Sequence, residues 1–208
     1  MSNLPSMGSI SDEDLIVIYD GGVMVENETI IGVGKFHEIK KHCNNIHEID
    51  FPCVLLPGFI DCHTHICYAG SRSIEYSKKN AGISYQKILS EGGGIYDTME
   101  KTRLASDEEL IKNTISRLER HFFEGVLTCE VKSGYGINFD QEIRLLKIIN
   151  EINLSHPSDV IPTCLAAHVP PNDSQTSTGE YLKLIVKELF PILRKENLTN
   201  RIDVFIEN

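Results

Sequence analysis

From residue 57 onward, short apolar runs alternate with amphipathic segments, and this alternation limits the possible folds more than any other feature. The apolar runs predict buried strands at residues 59–65, 127–133, 159–167 and 202–207. The amphipathic segments predict helices at residues 106–125, 140–153 and 177–197, the last kinked by Pro191. Strands that alternate with helices predict a parallel α/β sheet covered by helices.

The number of predicted strands favours part of a larger barrel. A TIM (β/α)₈ barrel needs about eight strands and about 250 residues, so residues 57–208 correspond to its first half. A smaller, complete doubly wound sheet is the alternative. Residues 1–56 are different, because they contain short Val/Ile runs separated by Asp-Gly and by the turn-like "ENET", which predicts a small β-rich part.

The charge and the cysteine content limit the expected binding partners and the expected cellular compartment. The net charge is -10 with a pI near 5.2, so nucleic acid and anionic membranes are poor partners. The six cysteines form no CxxC pair, which predicts buried thiols rather than disulfides or a zinc ribbon. The N-terminal segment has no signal-peptide pattern and no apolar run is long enough to span a membrane, so a cytoplasmic protein is expected.

Two histidines end the first predicted strand, in "DCHTHICYAGSR". Side chains at i and i+2 of a strand face the same way, so His63 and His65 would point together, with Asp61 one pleat earlier. Neutral imidazoles bind zinc and iron. Because the pair follows the apolar run "LLPGFID", a metal site is favoured over two surface histidines.

Other polar candidates follow the ends of successive strands. Arg72 could bind a carboxylate, Tyr135 of "KSGYG" could donate a hydrogen bond, and His168 of "AAHVPP" ends the third strand. Each alone is more often structural, but their shared placement favours a common site. The stretch "EGGGI" lacks the spacing of a phosphate-binding loop.

The stretches "PGFIDCHTHICYAGSRSIEY", "EGGGI", "KSGYG" and "AAHVPP", in this order, resemble the imidazolonepropionases of the amidohydrolase superfamily. The resemblance covers about residues 50–208. It implies a TIM barrel of the metal-dependent amidohydrolase type, here about its first half. Residues 1–56 would then be the β-rich part of a small sandwich domain, and a homodimer is expected.

The resemblance also implies chemistry. It is hydrolysis of 4-imidazolone-5-propanoate to N-formimidoyl-L-glutamate, in histidine degradation, at a site with one zinc or iron ion. By motif match, His63 and His65 are metal ligands, and Arg72, Tyr135 and His168 contact the substrate. His168 is also the catalytic candidate.

Members of this family are longer than this chain. Their remaining metal ligands, a histidine and an aspartate, and their acid/base carboxylate come from later strands, so the chain by itself is expected to be inactive. Three alternatives stay open: an amidohydrolase for another cyclic amide or nitrogen heterocycle, a non-catalytic remnant that binds a complementary half, and an α/β protein with structural histidines.

Overall fold

A computed structural model describes residues 11–14, 16–168 and 177–206 of the chain. The chain forms two compact units, Met1–Pro57 and Gly58–Asn208. In the described part, none of the helices is both long and apolar enough to cross a membrane.

The first unit is built on a β-hairpin. Strands β1 (Gly21–Glu26) and β2 (Thr29–Lys35) pair antiparallel, followed by the short helix α1 (Phe36–Ile39). Asn27 and Glu28 both have positive φ, as a type I′ hairpin turn requires, so "ENET" is a turn as predicted. In the described part of this unit, the strands form this two-stranded sheet. The sandwich domain therefore stays a prediction.

The second unit is an α/β structure with four parallel strands. The strands are β3 (Phe59–Thr64), β4 (Val126–Lys132), β5 (Asp159–Ala167) and β6 (Ile202–Val204). The helices are α2 (Ser73–Asn80), α3 (Tyr85–Ser90), α4 (Ile95–Leu104), α5 (Asp107–Phe123), α6 (Phe139–Ser155), α7 (Thr178–Leu184) and α8 (Phe190–Lys195).

The order of the strands agrees with part of a barrel. Neighbours in the sheet are neighbours in the chain, in the order β3-β4-β5-β6. A doubly wound sheet reverses its strand order at a switch point, whereas a TIM-like barrel does not. The first three predicted strands are confirmed to within one residue at their ends. The last, predicted at 202–207, is shorter, Ile202–Val204, and residue 207 lies outside the described residues.

Helices α5 and α6 cover the sheet with the apolar faces that the sequence predicted. Ser106 caps α5 by accepting a hydrogen bond from the Glu109 N–H, and Gly125 follows the helix with a φ of 89°. Leu118 of α5 and Ile149 of α6 are fully buried against Val131 of β4. Burial of one such leucine or isoleucine contributes about 1.5–3 kcal/mol, so these contacts hold the strand ends in place.

The helix predicted at residues 177–197 has an irregular centre. A π-helical segment, Ile185–Leu189, separates α7 from α8, and Pro191 lies in the first turn of α8. Proline has no N–H to donate to the preceding turn, and a wider turn accommodates that loss.

The cysteine prediction was partly wrong. Cys67, Cys129 and Cys164 are buried, but Cys53 and Cys62 are exposed. Burial raises the pKa of the Cys67 and Cys129 thiols to about 11, so these groups are neutral. Cys62 lies in β3 directly before His63, so the side-chain alternation of a strand directs it to the face opposite to that of His63.

Candidate metal and substrate site

The carboxyl ends of β3, β4 and β5 bring three of the predicted residues to one cavity. His65 follows β3, Tyr135 follows β4 and His168 follows β5. The cavity has a volume of about 240 Å³. It is lined by His65, Ile95, Gly134, Tyr135, Ile137, Glu142, Leu165, Ala166 and His168. A mostly apolar wall with a few polar groups is typical of a site for a small molecule.

The two histidines of the HxH motif lie side by side. The ring centroids of His63 and His65 are 5.3 Å apart. Two imidazoles that share one tetrahedral zinc at ordinary Zn–N distances have ring centroids about 5 Å apart. The pair therefore fits two corners of a metal site.

Further ligands are not found close to this pair. Within residues 11–14, 16–168 and 177–206, no group of three or more His, Cys, Asp or Glu side chains could hold a metal ion. Asp61 makes other contacts: its carboxylate accepts from the His63 N–H at 3.2 Å and lies 3.5 Å from the His121 imidazole.

The environment of His65 favours its neutral form. Burial lowers the pKa of His65, and the neighbouring His63 and Lys132 lower it further. A neutral imidazole is the form that can donate an electron pair to a metal ion.

His168 presents an unsatisfied nitrogen. Its Nε2 atom is buried and has no hydrogen-bond partner among the residues that the structure describes. The Asp203 carboxylate lies 3.4 Å away, which is too far for a well-formed hydrogen bond. A buried imidazole nitrogen at a cavity wall is suited to hydrogen-bond a ligand.

Arg72 lies outside this cavity wall. It is the N-cap residue of α2, and 43% of its side chain is exposed. Its guanidinium binds Glu75, with Nε and Nη2 at 2.9 and 2.8 Å from Oε2. The other oxygen of Glu75 accepts from the Gly94 N–H at 2.7 Å, so Glu75 joins Arg72 to the "EGGGI" stretch.

An aromatic contact joins the segments after β3 and β4. The rings of Tyr68 and Tyr135 meet edge to face with centroids 5.7 Å apart, and Tyr135 lies 6.3 Å from His65. Burial raises the pKa of Tyr135, so its phenol is neutral and can donate a hydrogen bond. Tyr68 was missed, although it lies in the stretch that contains the histidines.

Arg117 of α5 holds Tyr68 from below. Its guanidinium stacks 3.7 Å from the centre of the Tyr68 ring and donates to the Ile66 and Tyr68 carbonyls, both at 2.7 Å. Nothing in the local sequence distinguishes Arg117 from the exposed cations of the same helix.

A buried ionic network crosses the sheet beside the site. The ammonium of Lys132 lies 2.9 Å from Glu130 and 2.8 Å from Asp203, and Thr163 donates to Glu130 at 2.7 Å. Burial favours the neutral amine, but hydrogen bonds to Asp203 and Glu130 outweigh it and raise the pKa of Lys132. The hydrogen bond from Lys132 lowers the pKa of Asp203. This network was missed because its members lie on three strands.

Comparison with known proteins identifies relatives, although no protein-family model matches. The imidazolonepropionase of Aliivibrio fischeri is 40% identical over 194 residues, covering 89% of this chain and 48% of the relative. That of Geobacillus kaustophilus is 37% identical over 199 residues, covering 93% and 47%. That of Caldanaerobacter subterraneus is 43% identical over 154 residues, covering 74% and 37%.

The chain thus spans about half the length of the curated relatives it matches. The resemblance drawn from the HTH, AGSR, KSGYG and AAHVPP stretches is confirmed by these matches. The chain is therefore a relative of the imidazolonepropionases and matches their N-terminal half.

Proposed function

We propose that the chain provides the N-terminal half of a metal-dependent hydrolase that opens the ring of 4-imidazolone-5-propanoate to N-formimidoyl-L-glutamate, in histidine degradation. The observation that carries the proposal is the convergence of His65, Tyr135 and His168 on one cavity, in a relative of proteins named imidazolonepropionase. Such a cavity can hold a small heterocycle.

The proposed fold follows from the same resemblance. Residues 57–208 form about the first half of an amidohydrolase-type barrel, and residues 1–56 form the β-rich part of a small sandwich. The parallel order β3-β4-β5-β6 supports the barrel, since its strands follow the order of the chain.

His63 and His65 would hold one zinc or iron ion. When bound, such an ion lowers the pKa of water and polarises a carbonyl group. The spacing of the two rings and the depressed pKa of His65 support this assignment. Because the described residues supply no third ligand near this pair, the chain on its own is expected not to turn over.

Tyr135 and His168 act on the bound ring. The Tyr135 phenol donates a hydrogen bond to a polar edge of the heterocycle. The Nε2 atom of His168, which has no hydrogen-bond partner among the described residues, accepts a hydrogen bond from a ring N–H or, in its protonated form, delivers a proton to the leaving nitrogen. The apolar side chains of Ile95 and Leu165 exclude water from the rest of the cavity.

Arg72 binds the propanoate group. Its guanidinium already binds one carboxylate, that of Glu75, so a carboxylate ligand must compete with Glu75. The exchange replaces one carboxylate with another on a guanidinium that is 43% exposed, where an ion pair contributes about 0–1 kcal/mol, so we expect its free-energy cost to be small. We also propose a homodimer in the cytoplasm, as the resemblance implies.

Ligand binding tests the proposal without requiring turnover. Isothermal calorimetry would compare 3-(imidazol-4-yl)propanoate, a stable ring with the same propanoate, with 4-methylimidazole. We expect the propanoate to bind more tightly than the methyl compound. Tyr135→Phe and His168→Ala should weaken the binding of both ligands, whereas Arg72→Ala should weaken only the binding of the propanoate.

Metal titration tests the second half of the proposal. Cobalt(II), a coloured substitute for zinc, should bind to the chain, and His63→Ala or His65→Ala should abolish the binding. His37→Ala, at an exposed histidine of the first unit, is the matched control and should leave it intact. Cobalt binding that is unaffected by both HxH variants would contradict the assignment of His63 and His65 as metal ligands. Equal affinity for 3-(imidazol-4-yl)propanoate and 4-methylimidazole would contradict the assignment of Arg72 to the propanoate.

A further inference from the structure

A buried carboxylate organises the loop that carries Tyr135. Glu142, in the first turn of α6, is 1% exposed. Its Oε2 accepts hydrogen bonds from the Ser133 hydroxyl and, at 3.2 Å, from the Gly134 N–H. Its Oε1 accepts from the Gly136 and Ile137 N–H groups at 3.0 and 3.1 Å. One side chain therefore accepts hydrogen bonds from four donors on both sides of Tyr135.

A buried carboxylate destabilises the folded state unless its oxygens accept hydrogen bonds from the protein. A carboxylate removed from water loses much solvation free energy, and here loop donors replace the water. Charge-assisted hydrogen bonds of this kind are also stronger than neutral ones. The position near the amino end of α6 adds a favourable interaction with the helix dipole. The arrangement therefore favours one conformation of the loop over others.

The loop needs this support because its backbone is strained. Ile137 has a φ of 60°, a region that β-branched residues rarely occupy. Gly136 lies so close to α6 that a Cβ there would come within 2.7 Å of the Glu142 backbone nitrogen. Arg103 of α4 donates to the Gly136 carbonyl at 2.8 Å from the other side. Strain of this kind persists only where the surroundings hold it in place.

Tyr135 lies between the residues that Glu142 binds. Its neighbours Gly134 and Gly136 both donate to this carboxylate, so the direction of the Tyr135 side chain depends on it. The ring is held next to Tyr68 and His65 at the cavity wall. Glu142 itself lines the cavity, but both of its oxygens are used by the loop.

We infer that Glu142 is a positioning residue for Tyr135. It holds residues 133–137 in the conformation that keeps the phenol in the cavity beside His65. The consequence for substrate binding rests on the proposed function, whereas the positioning itself does not. No step of the reaction is assigned to Glu142.

Glu142→Gln tests the inference, since it keeps the shape but replaces one accepting oxygen with an NH₂ donor. Amide exchange by NMR should accelerate at Gly134, Gly136 or Ile137 by at least about tenfold. The phenol of Tyr135 should become hydrated, so its pKa should fall toward the ordinary 10.0 in an NMR titration. Glu151→Gln, at an exposed position of the same helix, is the matched control and should change neither quantity.

Probe binding separates this inference from the proposed function. In Glu142→Gln the affinity for 3-(imidazol-4-yl)propanoate should fall by about tenfold, and adding Tyr135→Phe should cause little further loss, because both act through one phenol. If the unmodified chain does not bind the probe, the proposed substrate is wrong, and loop exchange and phenol titration still decide the role of Glu142.

Unchanged loop exchange and an unchanged Tyr135 titration in Glu142→Gln would overturn the inference. If this variant does not fold, Ser133→Ala removes one donor from Oε2 and keeps the carboxylate. It should produce smaller changes in the same direction at Gly134 and Tyr135, and their absence would also overturn the inference. Ser77→Ala, at an exposed serine of α2, is its control.

Discussion

The segment after β3 and the loop after β4 contribute to the same site but are built differently. In the first, Arg72 lies at the surface, bound to Glu75, and His63, at the end of β3 just before this segment, is exposed. In the second, Ser133, Gly136 and Ile137 are buried and bound to one carboxylate. The segment after β3 has the more specific sequence motif, whereas the loop after β4 is more buried and has more hydrogen bonds.

A sequence motif shows which chemical groups are present, whereas burial and hydrogen bonding determine how rigidly the fold positions them. His63 and His65 match the pattern of a metal-binding pair, yet the described residues supply no third ligand close to them. Tyr135, in contrast, contacts Tyr68 edge to face, and both of its neighbours donate hydrogen bonds to Glu142. Within the described part of the second unit, the loop that carries Tyr135 is therefore more completely formed than the proposed metal site.

Arg117→Ala should have the largest effect, because it removes the main support of the segment after β3. Two carbonyls, of Ile66 and Tyr68, lose a charged donor, and the Tyr68 ring loses its cation. We expect the free energy of unfolding to fall by about 2 kcal/mol. Urea unfolding followed by circular dichroism measures it.

Arg120→Ala is the control, since Arg120 is an exposed cation of the same helix. It should change the free energy of unfolding by less than about 0.5 kcal/mol. Equal effects of the two variants would show that the segment after β3 does not depend on Arg117, and the contrast between the two segments would become sharper.

Glu75→Gln should have an intermediate effect, on ligand affinity rather than stability. Without the carboxylate, Arg72 no longer has a competing anion, so the affinity for 3-(imidazol-4-yl)propanoate should rise by about two- to fivefold. The affinity for 4-methylimidazole, which has no carboxylate, should stay the same. Calorimetry with both ligands measures the change.

Glu91→Gln removes the acid of a second ion pair at the surface, with Lys78 at 2.6 Å, and is the control. It should alter neither affinity. A weaker binding of the propanoate in Glu75→Gln would mean that Glu75 orients Arg72 for the ligand instead of competing with it.

The smallest expected effect is a pH dependence outside both segments. Burial lowers the pKa of His156 from 6.5, and its Nδ1 accepts from the Ser158 N–H at 3.1 Å. The folded state disfavours protonation of His156. The contribution of the neutral imidazole to the free energy of unfolding is therefore fully present above pH 6.5 and is lost as the pH falls through the lowered pKa. The group is partly exposed, so we expect this loss to be the smallest of the three effects.

Urea unfolding at pH 7.5 and 5.0 would measure this loss. His156→Asn keeps an acceptor near the Nδ1 position but does not titrate, so its stability should depend less on pH over this range. An identical pH dependence in both proteins would assign the effect to other groups.

The main elements of the second unit could be predicted because their signals are local. Ser106 and Gly125 mark the ends of α5, and apolar periodicity identifies its buried face. Alternation of side chains in β3 places His63 and His65 together. The ends of β4 and β5 place Tyr135 and His168 at the same cavity, since parallel strands end at one edge.

The supporting contacts could not be predicted because they join distant parts of the chain. Arg117 reaches carbonyls about fifty residues earlier, and Lys132 pairs with Asp203 on another strand. Glu142 is nearer in sequence, but it is one of several acidic residues in amphipathic helices. Only its burial, with four donors around it, distinguishes it.

Local signals were enough to predict the α/β class, the strands, helix α5 and the HxH pair, because propensity, periodicity and strand alternation act over a few residues. Tertiary structure alone decided which side chains meet: Arg72 with Glu75, Lys132 with Asp203, and Glu142 with the Tyr135 loop. Buried charges must find partners wherever packing places them, and packing depends on the whole chain.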